Sequence, residues 1–207
     1  MPEAEGVIKY QLEFIPAAAI TENLTELNVW RSILYGLGLI GQDASLYEGY
    51  GFGNLSRRSH INDQHFYISA SQTGQLPVLQ PAHYCCIQNA DIAQNSVQAS
   101  GLLKPSSEAL THAMFYQLDS SVRCVIHVHS SRLWHFGLQH DYPYTAKTIE
   151  YGTTGMAHEV RRLYQSSGLA KSRTLVMAGH TDGVICFGDS IDQAGLALVQ
   201  LWVQSNS

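Results

Sequence analysis

The sequence predicts a layered α/β fold with mostly antiparallel strands. Short β-type runs are mixed with amphipathic helical patterns, and several helices cluster at the ends. Such a chain hides its apolar faces by stacking helices on a sheet. Several runs follow one another with only a loop between, which favours antiparallel pairing over a purely parallel sheet. At 207 residues, 45% of them hydrophobic, the chain has apolar material for the core of one large domain, expected to span 1–207.

The elements follow in order. Ile8, Tyr10, Leu12 and Phe14 alternate with polar residues across 7–14, the period of a half-buried strand. Thr21 is placed to cap a helix with Leu24, Leu27, Ile33 and Leu34 on one face, and Gly36, Gly38 and Gly41 end it. Gly51-Phe52-Gly53-Asn54 is a glycine-marked turn into a strand. Strand-like runs lie around 67–69, 84–88, 122–128, 148–151, 174–177 and 184–187. Helical patterns cover about 106–118, 156–166 and 190–204. Pro105 precedes the first, which Ser106 or Ser107 can cap. The last has Asp189 or Ser190 as its cap and Ile191, Ala194, Leu198 and Leu201 on one stripe. No repeat, low-complexity tract or linker interrupts this order.

Composition excludes some functions. Only 14% of residues are charged, the net charge is −5, and no basic stripe appears, so neither nucleic acid nor a membrane surface is an expected partner. Low charge leans towards burial against further copies of the chain, although a plain, modestly polar surface reads equally well. Cys85, Cys86, Cys124 and Cys186 form neither a metal spacing nor a disulfide framework, and three sit in apolar strand-like runs, as reduced thiols do. No dinucleotide fingerprint follows a strand. No signal peptide or apolar run near ~18 residues is visible, so a soluble cytoplasmic protein is expected.

The chemistry centres on Val125-Ile126-His127-Val128-His129. In a strand, residues two apart share a face, so both imidazoles project together. They form a platform for a divalent metal or, alternatively, two core histidines with their own hydrogen-bond partners. Upstream, the helix start at Lys104-Pro105-Ser106-Ser107-Glu108 offers free N–H groups and two hydroxyls, a cradle for a phosphate. Glu108 either complements the helix dipole or serves as an acid/base or ligand. Ser71-Gln72-Thr73-Gly74 is a second turn with small donors. Downstream, Gly179-His180-Thr181-Asp182-Gly183 joins two β-type runs. His180 is the preferred third ligand, and Asp182 the alternative or a partner of the ligands. His83, His112, His135, His140 and His158 lack such company and are read as non-ligands.

Together these segments resemble the class II aldolase/adducin family. The order is a Gly-Asn turn, a Thr-Gly turn, Pro-Ser-Ser-Glu, His-x-His and a later histidine before a Gly-hydrophobic strand, over roughly residues 20–205. Pro-Ser-Ser-Glu and His-x-His about twenty residues apart carry the specificity. The resemblance implies a three-layer α/β/α fold with a largely antiparallel central sheet, and a homotetramer. It implies that His127, His129 and His180 hold Zn²⁺, or Mn²⁺, Fe²⁺ or Co²⁺. Glu108 would be the acid/base. Asn54, Thr73, Gly74, Ser106 and Ser107 would hold a substrate phosphate. Tyr151-Gly152-Thr153-Thr154-Gly155 resembles the family's turn before its next helix.

Two departures stand out. Many members place the third histidine directly before the glycine, where this chain has Asp182; His180 is preferred because it preserves a three-nitrogen shell. Family aldolases also have a longer tail that contributes a tyrosine; here that proton donor is either missing or replaced by Tyr142 or Tyr144. The expected function is a metal-dependent lyase acting on a small sugar or sugar phosphate through a metal-stabilised enediolate. An epimerase or dehydratase using the same site, or a non-catalytic adducin-like interaction module, are the alternatives.

Overall fold

The computed structural model describes residues 6–61 and 63–206. In chain order the elements are β1 (Gln11–Pro16), α1 (Thr25–Gly36), β2 (Gly41–Gln42), β3 (Gly51–Phe52), β4 (Asn54–Arg57), β5 (Phe66–Ser69), β6 (Tyr84–Asp91), β7 (Ser96–Gly101) and α2 (Ala109–Leu118). They continue with β8 (Cys124–His129), α3 (Ser131–Gln139), α4 (Thr154–Ser166), α5 (Leu169–Ser172), β9 (Thr174–Val176), β10 (Gly183–Gly188) and α6 (Ile191–Gln204).

Eight strands form one sheet in the order β1-β7-β6-β5-β4-β8-β10-β9, with β2 and β3 as a separate ribbon. Within the large sheet every pairing is antiparallel except β1 with β7 at the edge. Side chains alternate across it into two cores. One gathers Ile68, Ile87, Val125 and Ile185 under α2 and α4. The other gathers Leu55, Ile126, Val128 and Val184 under α1, α3 and α6. The result is a helix–sheet–helix sandwich around a mostly antiparallel sheet, as expected. Each of the larger apolar side chains it buries contributes about 1.5–3 kcal/mol.

Several boundaries differ from the sequence expectation, each for a physical reason. Burial does alternate through Tyr10, Leu12 and Phe14, but β1 starts only at Gln11. Its partner β7 begins at Ser96, opposite Gln11, so residues 7–10 have no ladder to join. The run 148–151 is a turn, not a strand. Its apolar residues are used in packing: Ile149 against the core, and Tyr151 buried within it. Thr21 does not cap α1; Leu24 holds the cap position, and Asn23 Oδ1 accepts from Thr25 N at 3.0 Å. Leu27, Arg31 and Leu34 make the buried stripe of α1, which leaves Ile33 exposed on the other side. Strand β7 and helix α3 were not anticipated; Ser130 Oγ caps α3 by accepting from Leu133 N. Ser190 and Thr153 cap α6 and α4. All four cysteines are free thiols in strands, and burial pushes Cys85, Cys124 and Cys186 up to about 12.

Candidate metal centre and anion pocket

The register of three central strands assembles the site. β8 pairs Asn54 of β4 with His127, and Gly183 of β10 with His129. Because Ile126 and Val128 turn into the α1–α3–α6 core, His127 and His129 emerge together on the opposite face. Their Nε2 atoms lie 3.0 Å apart. His180, in the turn between β9 and β10, brings its ring within 5.4 Å of His127 and 4.7 Å of His129, centroid to centroid. One ligating nitrogen from each of the three lies within 4.8 Å of the others. None of His83, His112, His135, His140 and His158 joins this group. Gly183 allows the approach: a Cβ there would fall 2.7 Å from His180 Cδ2 and 3.2 Å from His127 Cε1.

The donor set suits a cation. Burial first, and the neighbouring His180 second, hold His127 and His129 well below the usual imidazole range, so both are neutral and keep a lone pair. His127 Nδ1 lies 3.3 Å from Val184 O. A carbonyl only accepts, so Nδ1 carries the proton and Nε2 turns its lone pair into the cluster. Two Nε2 atoms facing each other at 3.0 Å need a proton or a cation between them. Three imidazoles leave a coordination position open, as catalytic zinc sites do.

Glu108 stands beside the cluster. It is the N-cap residue of α2, 1% exposed, with Oε1 3.9 Å from His180 Nε2. The serines before it do not cap the helix as expected; Ser106 Oγ instead accepts from Glu108 N at 3.2 Å, which leaves the hydroxyl hydrogen free to be given away.

Asn54, Thr73, Gly74, Ser106 and Ser107, singled out separately in the sequence, line a single pocket. Among the described residues no lysine or arginine lines it, so an anion there would meet neutral donors. Asn54 is buried, and its Oδ1 has no hydrogen-bond partner among the described residues. Thr73 Oγ1 donates to Ala70 O at 2.8 Å, so that hydroxyl closes its own turn. Gln72 and Gly6, which sequence reasoning did not assign to the phosphate site, also line it, with Gly51, Gly53, Ala70 and Ser71.

Other residues at the site also escaped the sequence reading. Arg31, buried on α1, reaches across to donate to Thr73 O at 3.2 Å and Gly74 O at 3.3 Å, pinning the Thr-Gly turn. Tyr151 lays its ring 4.5 Å from that of His180. Tyr47 sets its ring edge against His129 at 4.7 Å and donates its hydroxyl to Asp182 Oδ2 at 2.8 Å. Asp182 is therefore held by a tyrosine, outside the imidazole group. The one available signal was the glycine- and tyrosine-rich run 47–51 directly before the Gly-Asn turn. Tyr142 donates to Gln204 Oε1, and Tyr144 is largely exposed. Among the described residues neither makes a hydrogen bond or ring contact with the cluster.

Known proteins share this arrangement of elements. One is an L-fuculose 1-phosphate aldolase at TM-score 0.64 and 19% identity, covering 91% of this chain and 85% of the other. A sugar-phosphate aldolase from Thermotoga maritima reaches TM-score 0.64 at 14% identity, covering 87% and 90%. An L-fuculose-1-phosphate aldolase from Thermus thermophilus reaches 0.61 at 16%, covering 86% and 88%. In sequence, a methylthioribulose-1-phosphate dehydratase of Leptospira biflexa serovar Patoc is 28% identical across 69% of this chain and 78% of its own length. Residues 43–202 match the Class II Aldolase and Adducin N-terminal domain, and that match covers the histidine cluster, Glu108 and most of the pocket. The chain belongs to the class II aldolase and adducin family.

Proposed function

We propose that this chain is a metal-dependent lyase acting on a small sugar phosphate. The observation that carries it is three buried imidazoles converging beside a buried carboxylate, with a pocket of neutral donors on the same sheet face. His127, His129 and His180 would hold the cation: Zn²⁺, or Mn²⁺, Fe²⁺ or Co²⁺. When bound, it supplies Lewis-acid polarisation of the substrate's carbonyl and hydroxyl oxygens. Asn54, Ser106 and Ser107, with the main chain at Thr73 and Gly74, anchor the phosphate, so remote binding energy places the reacting carbons.

Loss of water is the reaction we favour. The relative that shares 28% of its sequence is a dehydratase, whereas similarity to the aldolases, at 14–19% identity, speaks to fold. Glu108 takes the proton from the carbon next to the substrate carbonyl. It then returns that proton to the hydroxyl leaving from the neighbouring carbon, and the carbon–oxygen bond breaks as water departs. Epimerisation next to the carbonyl shares the first proton transfer, whereas carbon–carbon cleavage starts with loss of a hydroxyl proton. A non-catalytic adducin-like module has no use for Glu108 beside three ligating nitrogens.

We also propose assembly with further copies, a homotetramer as the family resemblance implies. Val29, Ile33 and Leu37 support it: they lie one turn apart along α1 and its C-cap and are 54%, 44% and 40% exposed. Light scattering of Ile33→Asp against wild type tests it; an unchanged mass refutes this face.

The function is tested by metal analysis of the zinc-loaded protein and by incubation with ketose phosphates. Loss of one water, read by mass spectrometry, supports dehydration; a released aldehyde moves the reaction to aldol cleavage. Retention of no metal, together with no turnover, overturns the reading.

A further inference from the structure

Residues 6–10 lie outside the segment that matches the family, 43–202, yet they are built into the site. Gly6 lines the anion pocket beside Gln72. Val7 N donates to Tyr151 Oη at 3.1 Å, and Tyr151 Oη donates back to Val7 O at 3.4 Å, so one hydroxyl clamps both polar groups of one residue. The Tyr151 ring in turn packs on His180. Lys9 Nζ lies 3.9 Å over that ring and 3.2 Å from Glu150 Oε2. Tyr10 Oη donates to Ser106 O at 2.8 Å, inside the Pro-Ser-Ser-Glu turn. The strap is thus anchored to both halves of the site.

We propose that Gly6, held in place by the anchored residues 7–10, forms a specificity-determining wall of the anion pocket. The wall limits the pocket to the phosphate monoester of a short sugar and excludes a bulkier group at that end. The inference rests on the pocket being an anion site. It adds that a segment outside the family match sets the pocket's size and couples it to His180 through Tyr151. Asn54, a buried amide whose Oδ1 has no partner among the described residues, independently marks the pocket as built for a polar ligand, with Nδ2 as the atom that can donate to an anion.

Gly6 is the point of attack. Its φ is +72°, and a Cβ there would lie 3.0 Å from Gln72 Nε2, so Gly6→Val narrows the pocket and strains the strap. Calorimetry on the full-length, zinc-loaded protein with inorganic phosphate reads the effect. We expect Gly6→Val to weaken phosphate about tenfold or more, with zinc affinity unchanged. With a turned-over ketose phosphate, KM rises while kcat stays within about threefold, a split that general destabilisation does not produce. Tyr151→Phe keeps the ring on His180 but releases Val7. It weakens phosphate several-fold and improves phenyl phosphate binding relative to phosphate. If both variants bind phosphate and phenyl phosphate as wild type does, the wall is overturned. If wild type itself binds no phosphate, the anion pocket falls with it, and zinc retention then shows whether the metal centre survives alone.

Discussion

A single methyl group at Gly74 tests whether the anion pocket is built by close approach of backbone. A Cβ at this position would lie 2.2 Å from Gly41 O and 2.7 Å from Gly51 Cα. Ordinary contact begins at 3.4 Å, so something must give by about 1.2 Å. No side chain can rotate away, because both neighbours are main-chain atoms of the β2–β3 ribbon, where Gly41 pairs with Phe52 and Gln42 with Gly51. On the other side Arg31 holds the turn through Thr73 O and Gly74 O. Overpacking against backbone costs about 1–3 kcal/mol. Moving positioning groups by about 1 Å costs on the order of a hundredfold in function. Gly74→Ala should therefore fold with its melting temperature lowered by a few degrees, keep its zinc, and bind inorganic phosphate about a hundredfold more weakly. Scanning calorimetry and phosphate titration of the zinc-loaded protein give the two numbers. Phosphate affinity equal to wild type would refute the reasoning, since the Thr-Gly turn would then not be part of the pocket.

Other predictions follow from the same geometry. Arg31→Met keeps the packing of α1 but strips buried carbonyls at 73 and 74 of their donor; we expect a loss of about 2–3 kcal/mol in urea unfolding, with weaker phosphate binding. Stability equal to wild type would show that water replaces the guanidinium. Glu108→Gln should abolish turnover while metal content stays at the wild-type level, because the change removes a proton carrier and no imidazole; full activity would exclude Glu108 as the acid/base. Acid should destabilise the metal-free protein. Burial lowers His112 from 6.5 to about 3, and moves His127 and His129 in the same direction. The sign follows: above 6.5 these groups are neutral in both states and contribute nothing, and below it the unfolded chain takes up protons that the folded chain refuses. Each histidine then removes about 1.4 kcal/mol per pH unit until its folded value is reached. Urea midpoints at about pH 7.5 and about pH 5 measure it, and equal stability at both would contradict the neutral histidines.

Much of this site was legible in the chain. His127 and His129 announce themselves because a strand's period of two is a local property, and Ile126 and Val128 fix which face is which. Pro-Ser-Ser-Glu was readable as a helix start because its chemistry is local too, although Glu108, not a serine, takes the cap position. The last helix, with Ser190 as cap and Leu198 and Leu201 inside, followed from the 3.6-residue period.

What the sequence determined by itself, then, was the alternation of elements, the two strand histidines, the glutamate and a family pattern. Tertiary structure alone decided how they meet. It brought His180, and not Asp182, up to the two strand histidines, because the Gly183 turn lets the imidazole in while Tyr47 holds the carboxylate. It made 148–151 a turn that places Tyr151 on His180, although its apolar pattern read as a strand. It gave Arg31, one residue of an ordinary helix, the task of holding a turn more than forty residues away. It also brought residues 6–10 into the pocket. Periodicity reports which face of an element is apolar. It carries no information about which distant segment fills the space opposite, and that is settled by sheet order, register and the closeness with which two backbones can pack.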